Sequence, residues 1–120
     1  MKWHQCNNLD ELQAFYESIL PAIREVAREC GYAIGVHGSM RRDLDLIAIP
    51  WTDETRDDPT RLAVAIQKVA TGGIAYNLDS VKWEQKPNRR KATSLPICWI
   101  GWPDAKDGTG HIDLSVVASV

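Results

Sequence analysis

The amino-acid sequence predicts an α+β fold, in which a mixed sheet of about five strands has its helices mainly on one face. Three observations predict it. Apolar residues recur at helical spacing across residues 9–27, apolar and polar residues alternate across 43–49 and 111–117, and a second helical pattern lies between those alternating segments. A chain of 120 residues with these patterns is expected to form a single domain spanning residues 1–120.

The first helix has clear end signals. Asn8 is expected to cap it, with Glu11 at the third helical position as in a capping box. Gly31 is the expected stop, because glycine adopts the left-handed conformation that commonly follows a helix. Pro21 is expected either to divide this segment into two helices or to bend it.

The remaining elements follow from periodicity and turn residues. Asp58 and Pro59 have the residue types of a helix cap and a first helical residue. We expect strands at Tyr32–Val36 and Leu44–Ile49 joined by a turn at His37–Arg42, a helix from Asp58 to Val69, a short strand at Ile74–Asn77, a further candidate strand at Val81–Trp83, a loop at Glu84–Lys91, and a hairpin of Leu95–Trp102 with His111–Val117.

Composition limits the class of protein. The formal net charge of −2 argues against non-specific nucleic-acid binding by bulk charge. No apolar run approaches the length of a membrane span, and the N-terminus has no signal-peptide pattern. The 3 cysteines are widely spaced and odd in number, which is typical of reduced thiols in a cytosolic protein. We therefore expect a cytoplasmic protein with no membrane partner.

Two carboxylates alternate within an apolar segment, at Asp43 and Asp45. In a strand such residues point to the same face, roughly 6.5–7 Å apart, and their like charges are unfavourable unless a positive group compensates them. Mg²⁺ or Mn²⁺ is the usual solution, because hard cations prefer carboxylate oxygens. Asp113 lies inside a second apolar strand, so the three acids converge if the two strands are neighbours, and such a set can hold divalent ions for displacement at phosphorus.

Groups suited to phosphate contact lie near the acids in sequence and in one basic run. Gly38 and Ser39 form a tight turn that offers a backbone N–H and a hydroxyl. Arginine forks match phosphate oxygens. The candidate phosphate-binding residues are Gly38, Ser39, Arg41, Arg42, Arg89 and Arg90.

Each of these residues also has a structural interpretation. Asp43 and Asp45 could simply mark the exposed start of a strand. Asp113 could cap a turn or pair with an arginine. Ser39 is equally a turn residue, and the arginines either neutralise the acids or form a solvated face. His37 and His111 are candidates for a general base or a phosphate contact, but a surface or packing role is the default.

The Gly38-Ser39 turn, Asp43-x-Asp45 and the later Asp113 together resemble the nucleotidyltransferase superfamily typified by DNA polymerase beta. The run from His37 to Trp51 is also similar to small proteins carried by bacteriophages. The resemblance implies a nucleotidyltransferase-like fold with Mg²⁺ or Mn²⁺ held by the three acids. It also implies transfer of a nucleotidyl group from a nucleoside triphosphate to a hydroxyl of a protein, a small molecule or a nucleic acid.

The chain departs from the superfamily in one respect. A helical segment normally separates Gly-Ser from Asp-x-Asp, whereas only Met40, Arg41 and Arg42 intervene here. The helix N-terminus that helps to hold a triphosphate is therefore missing or comes from elsewhere. Two alternatives follow: a catalytically reduced binding or inhibitor protein of phage origin on the same scaffold, and a phosphodiester hydrolase that uses the same metal site.

Overall fold

The computed structural model of the protein describes residues 9–40, 42–51, 58–73, 77–99 and 108–117. The elements are helix α1 (Leu9–Glu29), strands β1 (Tyr32–His37) and β2 (Asp43–Pro50), helix α2 (Pro59–Ala70), a 3₁₀ helix (Leu78–Ser80), and strands β3 (Glu84–Lys86), β4 (Arg90–Trp99) and β5 (Gly108–Val117). The sheet has the order β1-β2-β5-β4-β3. Strand β2 is parallel to β5, and the other pairs are antiparallel, so the predicted α+β fold with a five-stranded mixed sheet is confirmed.

Both helices cover the same face of the sheet. Helix α1 packs against α2 and β1, and α2 packs against β4. Along β2 and β5 the even-numbered side chains are buried under this helical layer: Leu44, Leu46, Ala48, Ile112, Leu114 and Val116. The odd-numbered residues of these strands point the other way, because side chains alternate along a strand. We call that second side of the sheet the open face.

Helix α1 is one continuous helix that includes Pro21, so of the two expected outcomes the division into two helices is wrong. Its buried stripe packs on the core through Leu12, Phe15, Tyr16, Ile23 and Ala27. The expected cap at Asn8 lies outside the described residues. In the described part of the chain, no helix is both long and apolar enough to cross a membrane.

Helix α2 begins where the sequence predicts. The Asp58 carboxylate accepts a hydrogen bond of 2.7 Å from the Thr60 backbone N–H, which satisfies a free donor of the first turn. Pro59 occupies the first turn, where its missing N–H is not needed. At the other end the Gly73 N–H donates to the Lys68 carbonyl at 2.8 Å.

The prediction for residues 77–94 was wrong in three places. Val81–Trp83 is not a strand, Asn77 caps the 3₁₀ helix, and the expected loop Glu84–Lys91 contains β3 and the start of β4. Residues 74–76, where a short strand was expected, lie outside the described residues. Strand β3 has no apolar alternation that could have signalled it. It forms because Asn88 and Arg89 adopt φ values of 64° and 57°, which turn the chain sharply back on itself.

Strand β1 is an edge of the sheet, and an arginine covers part of it. Arg24 Nη1 on α1 donates a hydrogen bond of 2.6 Å to the carbonyl of Ile34. Unpaired backbone groups on an edge strand invite pairing with another chain, and this contact occupies one of them. It also fixes α1 over the strand that leads into the Gly38 turn.

Candidate functional site

A line of polar side chains crosses four strands on the open face. The register pairs His37 with Asp45, Asp45 with Asp113, and Asp113 with Ser94. Register partners share a face, and neighbouring strands lie about 4.8 Å apart. We call this line the polar row; its members are His37, Asp45, Asp113 and Ser94.

Asp43 and His111 lie beside the polar row. They are register partners, one alternate position before Asp45 and Asp113 on their strands. Both therefore point to the open face, next to the polar row. The structure brings together the three carboxylates expected from the sequence and places the two histidines at their flanks.

The carboxylates lie close enough to affect one another's ionisation. Partial burial is the main cause that raises the pKa of Asp43, and the negative charge of Asp113 is the second. The pKa of Asp45 is raised by the same two causes in the same order. Nearby imidazoles act in the opposite direction: His111 lowers the pKa of Asp43, and His37 lowers that of Asp45. Asp113 is thus the common neighbour of the other two acids.

The chemistry of this donor set fits a hard divalent cation. Three half-buried carboxylates lie on the same face of two neighbouring strands, and hard cations prefer carboxylate oxygens. Within the described residues, no group of three or more His, Cys, Asp or Glu side chains is placed so that it could hold a metal ion as it stands. A cation would therefore have to draw the carboxylates together by rotating their side chains.

Gly38 lies close to one of the acids, and its expected phosphate contact stays a prediction. Its φ is +79°, a left-handed conformation that glycine adopts without strain. A Cβ atom at this position would lie 2.9 Å from Oδ2 of Asp45. The glycine therefore lets the turn approach the carboxylate closely and limits where that carboxylate can go.

The other candidate phosphate-binding residues near this turn are solvent-facing or lie outside the described residues. Ser39 and Arg42 are exposed. The positive charge of Arg42 lowers the pKa of its neighbour Asp43, as the smallest of the effects on that carboxyl group. Arg41 lies outside the described residues. Ser39 and Arg42 thus remain available to a phosphate group beside the acids.

The basic hairpin turn between β3 and β4 is separated from the acids. Arg90 pairs with Val117, four residues along β4 from the pairing of Ser94 with Asp113, which is about 13 Å. Arg90 shares the open face with the acids, but at the opposite end of the strand. Arg89 is exposed in the turn before it. At this backbone separation we expect Arg89 and Arg90 to contact an extended ligand rather than a phosphate group held at the acids.

Sequence reasoning missed one residue at this site, Tyr16 of α1. Its hydroxyl donates a hydrogen bond of 2.6 Å to the carbonyl of Arg42 and accepts one of 3.1 Å from the His111 backbone N–H. The side chain is fully buried, and this burial raises the pKa of Tyr16 to about 12, so the hydroxyl keeps its proton at neutral pH. A tyrosine within an apolar helical stripe gives no sequence signal for such a contact.

Comparisons of this chain with family models, curated proteins and solved structures found no match. The resemblance to nucleotidyltransferases therefore stays a prediction. The functional argument depends on the geometry and electrostatics of the open face.

Gly72 is a control for the role of Gly38, because it has a similar backbone conformation but no side chain nearby. Gly72 has nearly the same φ, +76°, but nothing lies within 4 Å of the position its Cβ would take. We expect Gly38→Ala and Gly72→Ala each to lower the free energy of unfolding by roughly 1–2 kcal/mol, because both force alanine into a left-handed conformation. Only Gly38→Ala should move the Asp45 carboxylate, which the carboxyl ¹³C chemical shift reports. An unchanged Asp45 signal in Gly38→Ala would contradict the close contact.

Because the acids repel one another, neutralising one of them should increase the free energy of unfolding by an amount that depends on pH. Asp43 and Asp45 have raised pKa values in the folded state, so the folded protein binds more protons than the unfolded chain above their ordinary value of 3.8. Stability is therefore lost as the pH rises through that window. In buffer without divalent cations, Asp113→Asn should raise the free energy of unfolding at pH 7 by up to about 1 kcal/mol, the range of a cross-strand charge pair.

This gain in stability should shrink towards about pH 3, where Asp43 and Asp45, whose pKa values are raised, are largely neutral. Asp79→Asn is the matched control, because Asp79 is an exposed acid in the 3₁₀ helix, away from the polar row. Chemical denaturation of each variant at several pH values measures the effect. An Asp113→Asn protein with the stability of the control at every pH would show that the acids do not repel.

Proposed function

We propose that the chain is a metal-dependent nucleotidyltransferase-like protein, which transfers a nucleotidyl group from a nucleoside triphosphate to a hydroxyl of an acceptor. The acceptor classes are a protein, a small molecule or a nucleic acid. The observation that carries the proposal is the convergence of three carboxylates on one patch of the open face. Reduced cysteines in the sequence favour a cytoplasmic setting for this activity.

The charges of the acids are offset only in part by the described side chains, through His111 and Arg42 beside Asp43 and His37 beside Asp45. An ion pair joins Lys86 to Glu84 at 3.3 Å, at the other end of the open face. In the part of the chain that the structure describes, Asp43, Asp45 and Asp113 take part in no ion pair. Clustered like charges are unfavourable, and a bound cation would offset them.

Different residues of the chain would bind the cation and the phosphate groups. Asp43, Asp45 and Asp113 would hold Mg²⁺ or Mn²⁺, and Ser39 and Arg42 would orient phosphate oxygens beside them. When bound, such cations activate the attacking hydroxyl and neutralise the leaving pyrophosphate. The carboxylates would also exclude anions other than those that arrive with a cation.

The short turn supports a second candidate function. Strand β1 ends at His37 and β2 begins at Asp43, so the connection does not hold a helix whose N-terminus could face a triphosphate. The alternative is a catalytically reduced binding or inhibitor protein, of phage origin, on the same scaffold. Such a protein would bind the cation or nucleotide without releasing pyrophosphate.

A metal titration tests the proposal. At a concentration of Mg²⁺ or Mn²⁺ 100 times its Kd, the wild type should melt roughly 10 °C higher, because binding to the folded state adds about 2.7 kcal/mol. Asp45→Asn should largely abolish the rise, whereas Asp79→Asn should keep it. Pyrophosphate release from each nucleoside triphosphate then separates the enzyme from the binding protein. Equal metal responses in wild type and Asp45→Asn would rule out this site.

Two exposed arginines test where the phosphates lie. Arg42 precedes Asp43, whereas Arg89 is in the distant hairpin turn. Both are exposed, so either change to alanine should alter stability by about 0.5 kcal/mol or less. Arg42→Ala should weaken nucleotide binding several-fold in the presence of Mn²⁺, and added salt should reduce the difference. Arg89→Ala should bind as the wild type does, and a larger loss in Arg89→Ala would place the phosphates elsewhere.

A further inference from the structure

The two strands that carry the acids are linked at one end by a single hydroxyl group. Tyr16 donates to the carbonyl of Arg42, which directly precedes Asp43, and accepts from the backbone N–H of His111, which is the register partner of Asp43. The hydroxyl thus joins β2 and β5 at the first rung of their parallel pairing. The group comes from α1, on the opposite side of the sheet from the acids.

The surroundings of the hydroxyl fix its position. Tyr16 is 0% exposed, and its neighbour Phe15 is also buried in the core, so the helix cannot shift without disrupting packing. Gly110 lies against the ring: a Cβ atom at this position would be 2.7 Å from the Tyr16 hydroxyl oxygen. Only glycine leaves room for the hydroxyl between the strand ends.

We propose that Tyr16 is a positioning residue, whose hydroxyl holds the ends of β2 and β5 so that Asp43, Asp45 and Asp113 keep the mutual spacing needed to bind a divalent cation. For the identity of the ligand, this inference rests on the proposed function. The strand ends need such a contact because the like charges of the acids push them apart. The end of a ladder of paired strands is also where pairing opens most easily.

The contact acts through backbone groups, so the tyrosine never touches the ligand. Removing its hydroxyl leaves the Arg42 carbonyl and the His111 N–H without this partner and frees the first rung. The carboxylates can then move apart. Bringing them back together uses part of the free energy of cation binding, so the affinity falls. Loss of a group that orients metal ligands typically weakens metal affinity by about 10–100-fold.

Tyr16→Phe tests this role against a matched control, Tyr32→Phe. Tyr32 is also buried, at 1% exposed, but it pairs with Pro50 at the far end of β2. Mn²⁺ affinity measured by calorimetry should fall about tenfold or more in Tyr16→Phe and stay unchanged in Tyr32→Phe. Gly110→Ala, which displaces the same hydroxyl without removing it, should weaken Mn²⁺ binding in the same way. Wild-type affinity in Tyr16→Phe would overturn the inference and leave the proposed function intact.

A second measurement separates failure of the inference from failure of the proposed function. In metal-free buffer, a double-mutant cycle of unfolding combines Tyr16→Phe with Asp113→Asn. If the hydroxyl holds the acids together, Asp113→Asn should stabilise the wild type more than it stabilises Tyr16→Phe, in which the strand ends have already relaxed. If the wild type binds no metal, the proposed function fails and this cycle alone decides: non-additive effects support the positioning role, and additive effects overturn it.

Discussion

The parallel pairing of β2 with β5, in the register that places Asp45 beside Asp113, is the constraint on which the site depends. A shift of one residue in either strand would turn its acids towards the core. The register is held from the other face, where Leu46 and Leu114 are register partners and both are fully buried. The apolar core under the helices therefore determines the geometry of a charged cluster that it does not touch.

The same arrangement makes the cluster electrostatically strained. Burial, and after it the charge of Asp113, raises the pKa of both Asp43 and Asp45, and the described residues supply no ion pair to offset the repulsion. The fold holds the strands in place with buried leucines and with the Tyr16 hydroxyl at the first rung. A divalent cation would relieve the repulsion that packing maintains in this way, and this relief would link the fold to the proposed function.

Local sequence patterns were sufficient for the two helices, for β1, β2 and β5, and for the face on which the acids lie. The alternation around Asp43 and Asp113 predicted two strands with acids on one side, and Asp58 predicted the start of α2. Contacts distant in sequence could not be predicted in this way. The Tyr16 hydroxyl meets groups 26 and 95 positions away, which no local pattern reveals. Arg90 lies far from the acids because of the direction in which β4 runs. Strand β3 forms because two residues other than glycine adopt the left-handed conformation in the turn that follows it.

Paramagnetic broadening by Mn²⁺ tests the central claim most directly, because it locates the bound cation without assuming any reaction. In a ¹H–¹⁵N spectrum titrated with substoichiometric Mn²⁺, the amide signals of the polar row and of Asp43 should broaden first. Signals at the Arg90 end of the open face, about 13 Å along β4 from Ser94, should broaden later. Broadening that is uniform over the surface, or that begins at the Arg90 end, would contradict a cation site built from Asp43, Asp45 and Asp113.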